Sequence, residues 1–395
     1  MEIAPEQLRS PTRAPGGAGG LIRAARTLLP PVIFGLVPLA LTTLYLVLVV
    51  RRGVFGYDFQ HSFWPAARSV LRGENPYPPL DAHVLSKRTS FVYPPLLAIV
   101  IAPFGLLPVG VATVIAVLLV FASLPATLWV LGVRDWRCYA LSLASPPMLA
   151  CLQTAAISAP LALMLALAWR RRASGWATPA WIVVMIAAKL FLWPLLVWLV
   201  IVRGVRCALL TASAAAIAVV APWLLGFPGA QEYPRLLAML EDIEGSHAYT
   251  PSSLALSLGA GSRLAEATSL VAGGAVLLLA VSMRNRPDAD RKVFTLVLFA
   301  ALLLSPIVWA HYLLVLLPAM AIARPRLALV WFVPLAFRWA GDTWLVPSTR
   351  EFTVALLVMA LTTVLALRTR ATPIPLPEQA EGHVLTRARA LLFSC

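Results

Sequence analysis

Between residues 31 and 368 the chain runs as one uncharged apolar stretch after another, separated by short loops that carry arginine. That alternation excludes most folds. Of the 395 residues, 60% are hydrophobic and 12% are charged, and mean hydropathy is +0.83. A soluble domain has about 45–50% apolar and about 25% charged residues. Inside a bilayer, backbone groups find no partner except one another, so a segment this apolar must be helical or close into a barrel. Barrel strands alternate polar and apolar side chains over about ten residues, and these runs do not alternate. The chain is therefore expected to be an all-α polytopic membrane protein. Candidate spans lie near 31–50, 94–107, 110–132, 138–151, 154–169, 177–188, 190–202, 207–225, 265–283, 293–304, 306–323, 327–346 and 352–368. Prolines break several of them, so about 11–13 transmembrane helices are expected.

The charge balance fits this picture. Lysine and arginine number 32 against 17 acids, a formal charge of +15. In a soluble chain that excess would point to nucleic acid. Here the arginines sit in loops between spans, where positive charge marks the cytoplasmic side, and no nucleic-acid partner is expected. Arg170 to Arg172, Arg203 with Arg206, the segment 284–292, Arg324 with Arg326, and the tail from Arg368 are assigned to the cytoplasm on this basis. So is the N-terminal arm, residues 1–30, with Arg9, Arg13, Arg23 and Arg26. Residues 31–368 form the transmembrane domain, and 369–395 a cytoplasmic tail. Two long loops, 51–93 and 226–263, then face outward. Arg51 and Arg52 conflict with this, and the span count reaches Arg170 with the wrong parity. One segment between 94 and 151 must therefore fail to cross; 138–151, with Pro146-Pro147, is the first choice.

The first apolar run lacks a small-residue cleavage site and is expected to be retained. Cys138, Cys151, Cys207 and Cys395 show no metal-ligand spacing and are expected to pack as apolar residues.

The first outer loop contains YDFQHSFWPAARSVLRGENPYPP, residues 57–79. Phe63, Ala66, Ala67, Val70 and Leu71 recur at helical spacing, with Pro65 suited to the first turn and Gly73 to the end. An amphipathic helix in the interface plane is expected, its apolar face on lipid or on the bundle. Asp58 precedes it, either as a cap or solvated acid or as a working carboxylate. The motif Tyr-Pro-Pro-Leu occurs twice, at Tyr77 and at Tyr93.

Lys189 is one of three lysines against 29 arginines, and it interrupts an apolar stretch. An ionisable group at helix centre costs about 2.5–3.5 kcal/mol on insertion scales, so it snorkels to the interface or faces a partner or cavity. His311 follows Ser305-Pro306, a helix break of the kind tolerated where it lines a cavity. The acids of the second loop, Glu232, Glu241, Asp242 and Glu244, are expected to form a solvated face. No metal-binding cluster, phosphate loop or nucleophile elbow is present in the sequence, and neither metal nor cofactor is expected.

Asp58, Lys189 and His311 all map to the outer side. A carboxylate can take a proton from an attacking hydroxyl, and cations can neutralise a departing phosphate. A lipid-phosphate sugar would bring its tail through the bilayer and its head to that depth.

These stretches resemble glycosyltransferase family 87. The first-loop segment is similar to that family's opening motif. FVYPPLLAIVIAPFGLLP, AAKLFLWPLL and LLLSPIVWAHY are similar to its later ones, in the same order, across residues 57–312. The resemblance implies a GT-C fold and an inverting transfer of mannose from a polyprenyl-phosphate donor to a glycolipid or glycan acceptor outside the cytoplasm. The protein would then be a multi-pass enzyme of a bacterial plasma membrane. Asp58 would be the general base. Lys189 and His311, helped by Arg52 or Arg68, would hold the donor phosphate. His61, Tyr77, Tyr93, Gln153 and Trp309 would line the pocket. Two other readings stay open: a transporter or lipid flippase, and a non-catalytic lipid-binding relative.

Overall fold

The computed structural model describes residues 29–173, 175–340 and 347–368. The N-terminal arm up to residue 28, the tail 369–395 with Cys395, and 341–346 within the expected span 327–346 lie outside the described residues. The described chain is helical, without strands. It is an all-α polytopic membrane protein.

Among the described residues, five helices are long and apolar enough to cross a bilayer: Leu29–Arg51, Val109–Val130, Val205–Leu224, Ser262–Asn285 and Thr349–Leu367. Pro146–Thr154 and Ser158–Arg170 make a sixth only as a pair bent by 117°. The remaining apolar runs are shorter helices, such as Ala177–Ala188 and Leu190–Arg203. Twelve helical residues rise about 18 Å, well short of the roughly 30 Å hydrocarbon core. Residues 138–151 are not one span: Trp136–Leu143 ends before Ser145, and Pro146–Thr154 starts anew. The bend follows at Ala155, which takes a left-handed conformation (φ 53°). Within 327–346 the described residues form two 3-10 turns, Leu329–Trp331 and Val333–Ala340, rather than an α-helical span.

The helix Ala289–Leu304 is central, buried along most of its length. It packs on Ser262–Ser282, Leu195–Arg203 and Thr349–Leu367. At its start Asp290 pairs with Arg172 and accepts a hydrogen bond from Trp198 Nε1 at 2.7 Å, while Arg172 stacks on Trp169. Buried Arg291 donates to the Ala366 carbonyl. Its other end stops at Ser305 because Pro306 cannot continue the ladder. Sixteen residues separate these ends, about 24 Å.

The expected amphipathic helix forms in the first loop. A helical turn begins at Tyr57, a π turn covers Phe59–Phe63, and an α-helix runs over Trp64–Leu71. Pro65 has no N–H, and its ring would clash with the carbonyl four residues back. The preceding turn widens instead of kinking, and Trp64 N–H donates to the Phe59 carbonyl. Phe63, Ala66 and Ala67 face the bundle rather than lipid, while Leu71 is exposed. The two Tyr-Pro-Pro motifs are joined: the Tyr77 hydroxyl donates to the Tyr93 carbonyl at 3.0 Å. Cys138 and Cys151 are buried free thiols.

Candidate active site

Asp58 owes its position to Gly56. Gly56 has φ +62°, a left-handed conformation glycine adopts without strain, and it presses on Thr113 of Val109–Val130. A Cβ there would overlap the Thr113 methyl. Gly56→Ala therefore meets both a backbone penalty and a clash, together about 2–4 kcal/mol. A lower melting temperature is the expected outcome, measured by thermal unfolding.

Asp58 does not cap its helix: its side chain makes no capping hydrogen bond. It is half-buried and faces a cavity of about 700 Å³. Ser62, one turn on, lines the same wall and donates to the Ser90 carbonyl at 3.0 Å. Asp58 lies beyond the end of the first span. Burial pushes its carboxyl up to about 7, against the pull of the nearby Lys189 ammonium.

Lys189 reaches the cavity through a helix break. Pro194 would clash with the carbonyl of residue 190, so Ala177–Ala188 cannot run on into the next helix. Lys189 is extended (φ −148°, ψ 105°), and a 3-10 turn follows at Leu190–Leu192. The side chain is 5% exposed and does not snorkel to water. Its Nζ has no hydrogen-bond partner and lies 3.3 Å from the Tyr312 ring centroid, with Tyr93 at 5.5 Å and Phe191 at 5.8 Å. Three ring faces thus hold a buried ammonium by cation–π attraction.

His311 comes from a third segment, next to Tyr312, whose ring meets Lys189. Ser305 to Trp309 leave the helix, and Ser305 Oγ donates to the Ile307 carbonyl at 2.7 Å. The 3-10 turn Ala310–Leu316 then buries His311, whose Nε2 has no hydrogen-bond partner. An acid, an amine and an imidazole from three distant segments therefore share one chamber.

Tyr93, Gln153 and Trp309 also line the cavity. Gln153 accepts a hydrogen bond from Tyr45 of the first span. Four expected residues do not reach it. Arg52 is exposed at the end of the first helix. Arg68 and His61 lie on the solvent face of the loop helix: Arg68 covers the Trp64 ring at 5.0 Å, and His61 Nδ1 meets the Tyr57 carbonyl at 2.9 Å. Both side chains are exposed and neither joins the wall that Asp58 and Ser62 share. Tyr77 is buried behind Tyr93 and packs on Phe91 and Tyr233.

Glu244 corrects another expectation. Glu232, Glu241 and Asp242 are exposed, but Glu244 is buried at the cavity wall and paired with Arg88. Nothing in the sequence separates Glu244 from its acidic neighbours, and Arg88 sits in an unremarkable polar loop. Tyr233 and Tyr312, also in the wall, read in sequence as ordinary loop and interfacial aromatics.

No curated protein and no solved structure shows a significant match to the chain. The model of glycosyltransferase family 87 matches residues 91–306. Lys189 falls within the match, while Asp58 and His311 lie outside it. Since the match covers more than half of the chain, the protein belongs to glycosyltransferase family 87 and is a membrane glycosyltransferase.

Proposed function

We propose that the cavity transfers a sugar, mannose in the first instance, from a polyprenyl-phosphate donor to a glycolipid or glycan acceptor outside the cytoplasm of a bacterial cell. The convergence of Asp58, Lys189 and His311 on one chamber carries the proposal. The acceptor hydroxyl loses its proton to Asp58 as its oxygen bonds to the sugar's anomeric carbon. The bond from that carbon to the phosphate oxygen breaks. Polyprenyl phosphate leaves with the bonding electrons, its growing negative charge met by the Lys189 ammonium and a hydrogen bond from His311. A single carboxylate acting as base fits a one-step displacement with inversion. At about 700 Å³ the chamber is of a size for a sugar phosphate.

The helix ends support an outward-facing position for the chamber. Ala289–Leu304, Leu190–Arg203 and Ser158–Arg170 each begin or end at an arginine-bearing loop, and each has its other end near the chamber. Arginine-rich loops favour the cytoplasm, which supports an outward-facing chamber.

The test is transfer by the purified protein in lipid nanodiscs, with labelled polyprenyl-phosphate mannose and a screen of acceptors. Movement of intact donor, or binding without transfer, would overturn the proposal. The pH dependence adds a second check. Asp58 must be ionised to act as base, so kcat/KM should fall as pH drops through about 7, approaching ten-fold per unit well below it.

A further inference from the structure

We propose that Arg88, paired with Glu244 and stacked on Trp309, is a positioning residue that holds the wall carrying His311. The inference rests on the transfer proposed above for its kinetic part and on geometry alone for the rest.

Arg88 joins three segments far apart in sequence. Its Nε donates to both Glu244 carboxylate oxygens at 2.9 Å, and Nη2 lies 2.7 Å from Oε2. Its guanidinium lies over the Trp309 ring, 5.1 Å from the centroid. The first outer loop is thereby fastened to the end of helix Tyr233–Glu244 in the second, and both to the extended segment before His311. The second loop grips that segment again five residues on, where Tyr249 N–H donates to the Val308 carbonyl at 2.9 Å. Nothing within residues 305–309 is helical, so these cross-links stand in for a helix ladder.

The local cost of this arrangement is visible. Arg88 adopts φ +56°, a left-handed conformation that disfavours a residue with a Cβ. Glu244 is almost fully buried, and its side chain and that of Arg88 are 3% and 18% exposed. A buried ion pair seldom stabilises a fold more than packed apolar side chains would. Strain and buried charge at a cavity wall point to a site requirement. Arg88 and Glu244 largely neutralise each other, so the pair is suited to fixing geometry rather than to adding net charge for the donor.

The experiment compares the wild-type protein in nanodiscs with Arg88→Lys and with the double variant Arg88→Met/Glu244→Leu, which replaces the ion pair by apolar contact. In donor-free protein, amide hydrogen exchange across residues 305–312 should be about ten-fold faster or more in the double variant, with the melting temperature near wild type. In the transfer assay, kcat should fall about 10- to 100-fold while donor KM changes less than about three-fold. Arg88→Lys should be similarly slow, because an ammonium cannot fork onto a carboxylate and stack at once. Wild-type exchange and wild-type kcat in the double variant would overturn the inference. So would recovery of full kcat in Arg88→Lys, or a rise in donor KM alone, either of which would make Arg88 a donor-binding cation. Failure of the wild-type protein to transfer sugar would sink the proposed reaction instead and leave exchange to decide the role of Arg88.

Discussion

Asp58→Asn is expected to leave a folded protein that binds the polyprenyl-phosphate donor and transfers sugar about 10²–10⁴-fold more slowly. The amide keeps the shape of the carboxyl group and cannot accept a proton. Donor binding should survive because the phosphate contacts proposed here belong to Lys189 and His311. The same variant makes a stability prediction of opposite sign. Burial raises the Asp58 carboxyl to about 7, well above its unfolded value. The folded state therefore holds that proton more tightly than the unfolded state. Its contribution to stability is present at low pH and is lost as pH climbs through about 7. An asparagine stays neutral throughout. The melting temperatures of wild type and variant should coincide near pH 4 and separate near pH 8, with the variant higher by roughly a few °C. Thermal unfolding across pH, with donor binding and transfer on the same preparations, measures all three. A variant that retains most of its transfer rate would remove Asp58 from the chemistry.

Lys189→Met should lower kcat/KM for the donor by about 10²–10³, the range seen when one preorganised electrostatic group is deleted. That corresponds to about 3–4 kcal/mol of lost transition-state stabilisation. The protein itself should not suffer. The ammonium is buried without a hydrogen-bond partner, and methionine fills a similar length without the cost of desolvating a charge. The variant should melt no lower than wild type. Lys189→Arg should fail to restore the rate, since the slot between Tyr312, Tyr93 and Phe191 holds a compact ammonium and not a planar fork. Donor titrations of initial rate, paired with thermal unfolding, separate the outcomes. A Lys189→Met protein that melts lower while transferring normally would mark the lysine as structural.

The division between what could be read from sequence and what could not follows the range of the interactions. Asp58, Lys189 and His311 stood out because each is chemically foreign to its neighbours, and the cost of burying such groups demands an explanation from sequence alone. The helix over the first loop was legible for a similar reason, since apolar spacing and the Pro65 and Gly73 signals are local. The π turn that spares it a kink was not, although Pro65 is its cause. Arg52, Arg68 and His61 do not line the cavity, because proximity to Asp58 in the chain does not decide which side chains face it. Glu244 was misjudged because solvation is the default for an acid in a polar loop, and the partner that overrides it lies 156 residues earlier.

Membership of the all-helical membrane class was determined by the chain itself. An apolar segment in lipid has no outlet for its backbone polar groups except its own helix, and that constraint needs no partner. The arginine distribution likewise separates one end of the helices from the other through a property each loop carries alone. Tertiary structure decided everything that depends on two segments meeting. It brought Tyr77 against Tyr93, and closed Arg88 onto Glu244 and Trp309. Such contacts are chosen by packing among many spans of nearly equal hydrophobicity, and that near-equality leaves no trace in any one of them.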